Sequence, residues 1–228
     1  MHTSPLALTL DLDDTLWPIW PTIDRAESLM HDWLRANAQA TASRFDRAAL
    51  RSLRESVVRE NPQWLHDLSA IRIEGLRRAL QMAGDDPALA EPAFDVFFAA
   101  RQEVVLYDDA IAALDRLSQR FPLMALTNGN ADLERIGLAP FFRGSVTARK
   151  LGVAKPDRRI FHHACEQLGF APAQVMHIGD DFEMDVTGAV NAGLQAVWLR
   201  REVSADPAGG SGYRVFGDLS ALADALLV

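Results

Sequence analysis

The chain has 228 residues, 49% of them apolar and 24% charged, the mixture of a globular chain rather than a disordered or fibrous one, and a length that suits one large domain or one domain with a smaller insertion. Its 31 acidic against 23 basic residues give a net charge of −8, which argues against nucleic-acid or anionic-membrane partners. The single cysteine, Cys165, rules out an internal disulfide; no run approaches the ~20 apolar residues of a membrane span, and the start "MHTSPLALTLD" lacks the basic and apolar regions of a signal peptide, so the expectation is a soluble cytoplasmic protein.

In chain order, Leu6 to Leu10 is a short apolar run ended by Asp11, the pattern of a central strand. Four helical stretches follow without a strand between them. "TIDRAESLMHDWLRANAQ" spaces Ile23, Ala26, Leu29, Met30, Trp33 and Leu34 at helical intervals, and "RFDRAALRSLRESVVRE" repeats the pattern up to Asn61–Pro62. "QWLHDLSAIRIEGLRRALQMAG" should stop at Gly84, and "DPALAEPAFDVFFAARQEVV" supplies the fourth helix. About 80 residues of this kind predict a small helical bundle. From about Tyr107 helices alternate with apolar strands. "DDAIAALDRLSQRF", "KPDRRIFHHACEQLGF" (Pro156 in its first turn, Gly169 at its end) and "DVTGAVNAG" are the helices; "PLMALT", "SVTA", "QVMHIGDD" and "LQAVWLR" are the strands. Cys165 reads as a packing residue of the second helix. Alternation of this kind predicts an α/β fold with a doubly wound, mostly parallel, Rossmann-like sheet, the helical segment being inserted after its first strand. "SADPAGGSG", Ser204 to Gly212, reads as a flexible surface loop.

In such a sheet ligands bind beyond the carboxyl ends of the strands, and the predicted strands end there in polar residues. These are Asp11-Leu12-Asp13-Asp14-Thr15, Thr127-Asn128-Gly129-Asn130 and Gly179-Asp180-Asp181 with Asp185 following. Lys155, one of only two lysines, stands just before a predicted helix.

The ordered set "DLDDT", "LTNG", "KP", "GDDFEMD" resembles the four motifs of the haloacid-dehalogenase-like (HAD) superfamily, and the helical insert resembles its type-1 cap. The resemblance spans essentially the whole chain and implies a core of residues 1–16 and 103–228 with a cap of the four-helix-bundle type over 17–102. It also implies roles. Asp11 matches the nucleophile that forms an aspartyl-phosphate, and Asp13 the general acid/base; residues two apart in an extended segment face the same way, so both carboxylates can reach one phosphate. Thr127 and Asn128 match phosphate-oxygen ligands, and Lys155 the cation joining nucleophile and phosphate. The resemblance implies Mg²⁺, held by Asp11, the Asp13 backbone carbonyl and Asp180, with Asp185 acting through a bridging water or directly. The position usually held by glycine is Asp14 here, read as a turn former.

The metal-independent 2-haloacid dehalogenases of the superfamily need neither a carboxylate at Asp13 nor a metal-binding fourth motif, so the motifs favour phosphoryl transfer. Schiff-base chemistry needs a cap lysine, and Thr15 to Thr127 contains none. A phosphomutase keeps the same core, and a non-catalytic binding protein would have lost Asp11 or Asp13. The implied substrate is a small-molecule phosphomonoester. "TNGNADLERIGLAPFF", "GDDFEMDVTGAVNAGLQAVWLR" and "WLHDLSAIRIEGL" are similar to bacterial flavin-pathway phosphatases, which act on FMN or 5-amino-6-(5-phospho-D-ribitylamino)uracil. Candidate substrate contacts are then His66, Arg72 and the aromatic residues Trp17 and Trp20, with Trp64 a weaker one. The remaining histidines read as solvated or half-buried helix residues without zinc spacing. Monomer and homodimer are both open.

Overall fold

The computed structural model describes residues 4–201 and 212–227, so the predicted Ser204–Gly212 loop lies outside the described residues except for Gly212. The chain divides into two compact units, Met1–Pro18 with Val105–Val228, and Ile19–Val104.

The chain enters on β1 (Ala7–Leu10), every residue of which is buried. It then builds the helical unit from α1 (Ile19–Asn37), α2 (Gln39–Arg44), α3 (Arg47–Glu60), α4 (Leu68–Ala83) and α5 (Ala90–Arg101). These are five helices where the periodicity predicts four. The break at Ala38 has a tertiary cause: the Asp85 carboxylate accepts from both the backbone N–H and the hydroxyl of Thr41, each at 2.7 Å, and pins α2 as a separate turn. α3 and α4 start where an aspartate side chain satisfies a free N–H, Asp46 for Ala49 and Asp67 for Ala70. α4 ends at Gly84 in the left-handed conformation. The residues before Asp67 form a short 3₁₀ turn, Pro62–Trp64, and its exit, so His66 precedes α4 instead of lying on its face. Leu34, Leu76, Leu80, Phe94 and Phe97 are buried at the centre of the unit.

The other unit continues with α6 (Ala110–Ser118), β2 (Leu123–Thr127), α7 (Leu133–Ile136), β3 (Ser145–Thr147), α8 (Ala148–Leu151) and α9 (Arg158–Leu168). β4 (Val175–Gly179), a π-helical turn (Phe182–Thr187), α10 (Gly188–Asn191), β5 (Gln195–Leu199), β6 (Tyr213–Phe216) and α11 (Leu219–Leu226) complete it. α9 starts two residues later than predicted: Asp157 is its N-cap, accepting from Arg159 N, so Pro156 precedes the helix. The predicted helix "DVTGAVNAG" is a π turn followed by a single α turn. The six strands are all parallel in the order β3-β2-β1-β4-β5-β6. β1, β2 and β4 are mainly apolar runs because both faces are covered, and Cys165 sits among the side chains packed on one face. Burial pushes its thiol up to about 11, which suits a packing role. Chain order reverses between β1 and β4, and there Asp11 N bonds Ile178 O at 2.9 Å. In this topology that crevice is where ligands bind.

Candidate active site

β1, β2 and β4 run parallel and end together, so their next residues share one edge of the sheet. Asp11 leaves β1, Thr127 closes β2, and Asp180 leaves β4. Lys155 reaches the same edge from the loop after α8. Its ammonium donates to Asp11 Oδ1 at 2.7 Å and to Asp185 Oδ1 at 2.5 Å, and all three side chains are nearly excluded from solvent. Asp11, Asp180 and Asp185 can each bring a carboxylate oxygen within 4.8 Å of the others.

Three like charges this close need compensation, and each is treated differently. Burial alone would raise Asp185, but Lys155 and His177 overcome it and hold the carboxyl well below the usual range. Burial would likewise lower Lys155, but Asp11 and Asp185 raise it, so the ammonium stays charged. Burial pushes Asp11 well up, Lys155 opposes this, and Asp185 and Asp13 reinforce it. Asp180, half-buried, is pushed to about 6 by its burial and then by Asp185, against a hydrogen bond from Thr15 Oγ1 at 3.0 Å. Lys155 therefore neutralises Asp185 and part of Asp11, and leaves Asp180 without a full counter-charge.

Asp185 is fixed from every side. Besides Lys155 it accepts from His177 Nε2 at 2.9 Å and, on Oδ2, from Asp181 N at 3.1 Å. His177, fully buried in β4, takes the hydroxyl of Thr9 on Nδ1 at 2.8 Å. Burial holds its pKa down, so the ring is neutral and Nε2 carries the donated proton. The π turn makes this possible: Asp181 O accepts from both Asp185 N and Val186 N, which rotates Asp185 inward. Gly179 leaves the space, since a Cβ there would stand 2.2 Å from Asp185 Cγ.

The loop after β1 is held as firmly. Asp14 takes a positive φ of 56° and its N–H bonds Trp17 O, closing a tight turn, as read from the sequence. Arg201 donates Nε and Nη2 to Thr15 O, at 3.1 and 2.7 Å, and Nη1 to Asp109 Oδ1 at 2.9 Å, while its guanidinium lies over Tyr107. The Asn128 side chain clamps the Lys155 backbone, donating to its carbonyl and accepting from its N–H. Thr127 Oγ1 accepts from Gly129 N at 2.9 Å.

The geometry corrects three readings. Trp17 has no exposed surface, and its indole N–H donates to Asp13 Oδ1 at 3.0 Å, so it orients a carboxylate instead of stacking on a ligand. Arg72 is buried against Glu27 and the Phe97 ring inside the helical unit. His177 is a buried strand residue, contrary to the helix-surface reading of the histidines, and His31 is buried on Phe45 O. Trp20, on α1, is 63% exposed, and His66 and Trp64 are half-buried. Thr9, His177 and Arg201 escape the sequence reading, while Thr15 and Gly179 stand in it only as parts of the polar strand endings, without their roles. The signal for His177 was present, because a polar side chain inside a fully buried strand requires a partner.

Residues 6–193 match the haloacid dehalogenase-like hydrolase family, and the chain belongs to it. It is 34% identical over 200 residues to the 5-amino-6-(5-phospho-D-ribitylamino)uracil phosphatase YigB of Escherichia coli, covering 86% of this chain and 84% of the relative. It is 34% identical over 239 residues to the phosphoserine phosphatase of Thermus thermophilus, covering 93% and 95%. Among solved structures it is similar to a 2-haloacid dehalogenase from Pseudomonas syringae, with a TM-score of 0.88 and 33% identity over 98% of both chains. Among the described residues, no helix is long and apolar enough to cross a membrane.

Proposed function

We propose that the chain is a Mg²⁺-dependent phosphatase of small phosphomonoesters that works through an aspartyl-phosphate on Asp11. The observation that carries this reading is the group of carboxylates from Asp11, Asp180 and Asp185 within 4.8 Å, with Asp13 two residues beyond the nucleophile. A cluster of hard oxygen donors, with Asp11 and Asp180 both pushed up in pKa, fits a hard divalent cation. Asp11, Asp180 and the Asp13 carbonyl would hold it; Asp185, whose oxygens already accept three hydrogen bonds, would act through water. When bound, the ion supplies charge that offsets the repulsion between carboxylate and phosphate dianion.

The remaining chemistry belongs to the chain. Lys155 gives two of its N–H groups to Asp11 and Asp185 and offers the third to a phosphate oxygen. The Asp11 carboxylate forms a bond to phosphorus while the ester P–O bond breaks, and Asp13 protonates the departing alkoxide. Asp13, now ionised, takes a proton from water, which attacks phosphorus and frees inorganic phosphate and Asp11. The Trp17 hydrogen bond keeps Asp13 oriented through both steps.

Substrate choice falls to the helical unit, with Trp20 and His66 as its candidate contacts, and the likeness to YigB supports a flavin-pathway phosphate. Cytoplasmic location is part of the same reading. A second reading, metal-independent dehalogenation, is favoured by the likeness to the Pseudomonas syringae structure. Assays of phosphate release separate the two. Asp11→Asn should lower kcat at least ~10³-fold, and Asp13→Asn about 10²- to 10⁴-fold, with wild-type activity lost in EDTA. Wild-type turnover in Asp11→Asn would overturn the scheme, and EDTA-resistant halide release from a 2-haloacid would establish the second reading. A panel of FMN, the ribitylamino-uracil phosphate, sugar phosphates and nucleotides, compared by kcat/KM, tests the substrate.

A further inference from the structure

A second concentration of charge lies inside the helical unit. Glu27 of α1 is 2% exposed, yet three guanidinium groups converge on its carboxylate. Arg51 Nε approaches Oε2 at 2.5 Å, and Arg72 Nη1 approaches Oε1 at 3.0 Å. Arg54 Nη1 stands 3.5 Å from Oε1, too far for a strong hydrogen bond. Arg47 completes the lining of the same recess beside Gly75 and Leu76. The lining therefore sets four arginines against one glutamate, a net charge of +3. The nearby Asp24, paired with Arg51, reduces it to +2, and since Arg47 is itself exposed, Arg51, Arg54 and Arg72 against Glu27 and Asp24 leave +1 at the carboxylate. In a chain of net charge −8, one small recess collects an uncompensated positive charge.

Packing does not require that imbalance. One guanidinium satisfies one carboxylate bidentately, and burying further cations beside it is unfavourable unless an anion joins them. Arg72 registers the cost: its burial, and then the repulsion from Arg54, push it down to about 10. The recess is not closed, because the Arg51 and Arg54 side chains remain 34% and 27% exposed at its mouth. The space inside, about 10 Å³, admits roughly one water-sized group. One oxygen of a carboxylate or phosphate can enter it, with the rest of the group standing at the mouth between Arg51 and Arg54, and a ring is excluded.

We propose that Arg51, Arg54 and Arg72 form an oxyanion-binding site in the helical unit, taking a carboxylate or phosphate group of a small molecule. Guanidinium forks suit either planar or tetrahedral oxyanions. α4 passes close to α3 here: a Cβ added at Gly75 would stand 3.4 Å from the Arg54 backbone, an ordinary packing distance. The site is separate from the carboxylate cluster around Lys155 and does not depend on the phosphatase reading.

Calorimetric titration of the whole chain in EDTA, with sodium malonate and separately with inorganic phosphate, tests it. The expected result is one saturable event, weakened about tenfold or more in Arg54→Gln, partly restored in Arg54→Lys and retained in Asp11→Asn. The tighter of the two probes identifies the preferred oxyanion. Arg54 makes the longest contact to Glu27, so Arg54→Gln leaves the shorter pairs to hold the bundle, and circular dichroism verifies that it folds. A measurement on the wild type needs no variant: the side-chain Nε–Hε signals of Arg51 and Arg72 should shift with malonate. Absence of saturable binding, unmoved arginine signals, or binding lost in Asp11→Asn but kept in Arg54→Gln would each overturn the proposal. Failure of the phosphatase reading would show separately, as phosphate release that survives Asp11→Asn.

Discussion

Asp180 shows what a ligand-ready carboxylate costs the fold that carries it. Its pKa of about 6 lies above the ~3.9 of an unfolded aspartate. Between those values the folded chain keeps a proton that the unfolded chain has released. Stability therefore falls as pH rises from about 4 to about 6, and the loss persists at neutral pH. For a fully buried group that difference would correspond to about 2.9 kcal/mol, and partial exposure reduces it to about 1–2 kcal/mol. Asp180→Asn, neutral and of similar shape, should be about 1–2 kcal/mol more stable than wild type at pH 7.5 in EDTA. Near pH 4 the two should converge. Urea unfolding at both pH values measures this, and a gain equal at both would refute the assignment. Asp185 behaves oppositely although it lies in the same cluster, because Lys155 and His177 have already compensated it.

At the scale of elements, the junction of β4 with the π turn sets the site. Gly179 ends the strand with no side chain, and Asp185 occupies the space above it. Gly179→Ala would drive a methyl group into the Asp185 carboxylate and release Lys155 from one of its two partners. The expected outcome is a fall in kcat of ~10²-fold or more, with a loss of about 1–3 kcal/mol in stability. Steady-state kinetics and thermal unfolding check both, and near-wild-type kcat would show that Asp185 does not set the position of Lys155. The same junction marks how far the sequence is legible. β1, β2 and β4 are readable as apolar runs ended by polar residues, and Gly84 and Gly169 as helix stops, because those signals are local. The π turn is not, since it depends on how Asp185 meets His177 and Lys155 across the fold. The α1–α2 break depends on Asp85, 44 residues from Thr41, and nothing in "RANAQATAS" announces it. Trp17 follows the same rule. Its place beside the motif is visible, but its burial and its bond to Asp13 arise from the bridge that the tight turn forms between the two residues.

For the molecule as a whole, the division into two units separates what a cation would stabilise from what it would not. Asp11, Asp180 and Asp185 all lie in the unit of Met1–Pro18 and Val105–Val228, whereas the Glu27 cluster belongs wholly to Ile19–Val104. A ligand that binds only the folded state adds RT ln(1 + [L]/Kd), about 2.7 kcal/mol at 100-fold excess over Kd. That should raise Tm by about 5–10 °C for a chain of this size, an effect reversed by EDTA and absent in Asp180→Asn. Hydrogen exchange then reports where the energy goes. If each unit opens on its own, Mg²⁺ will slow exchange at amides of β1, β2, β4 and β5 and leave α1 to α5 unchanged. Malonate will do the reverse, protecting α1, α3 and α4. Uniform protection by either ligand would show that the two units open in one cooperative step. Protection of α1 to α5 by Mg²⁺ alone would place the cation away from the carboxylate cluster and would refute the metal assignment.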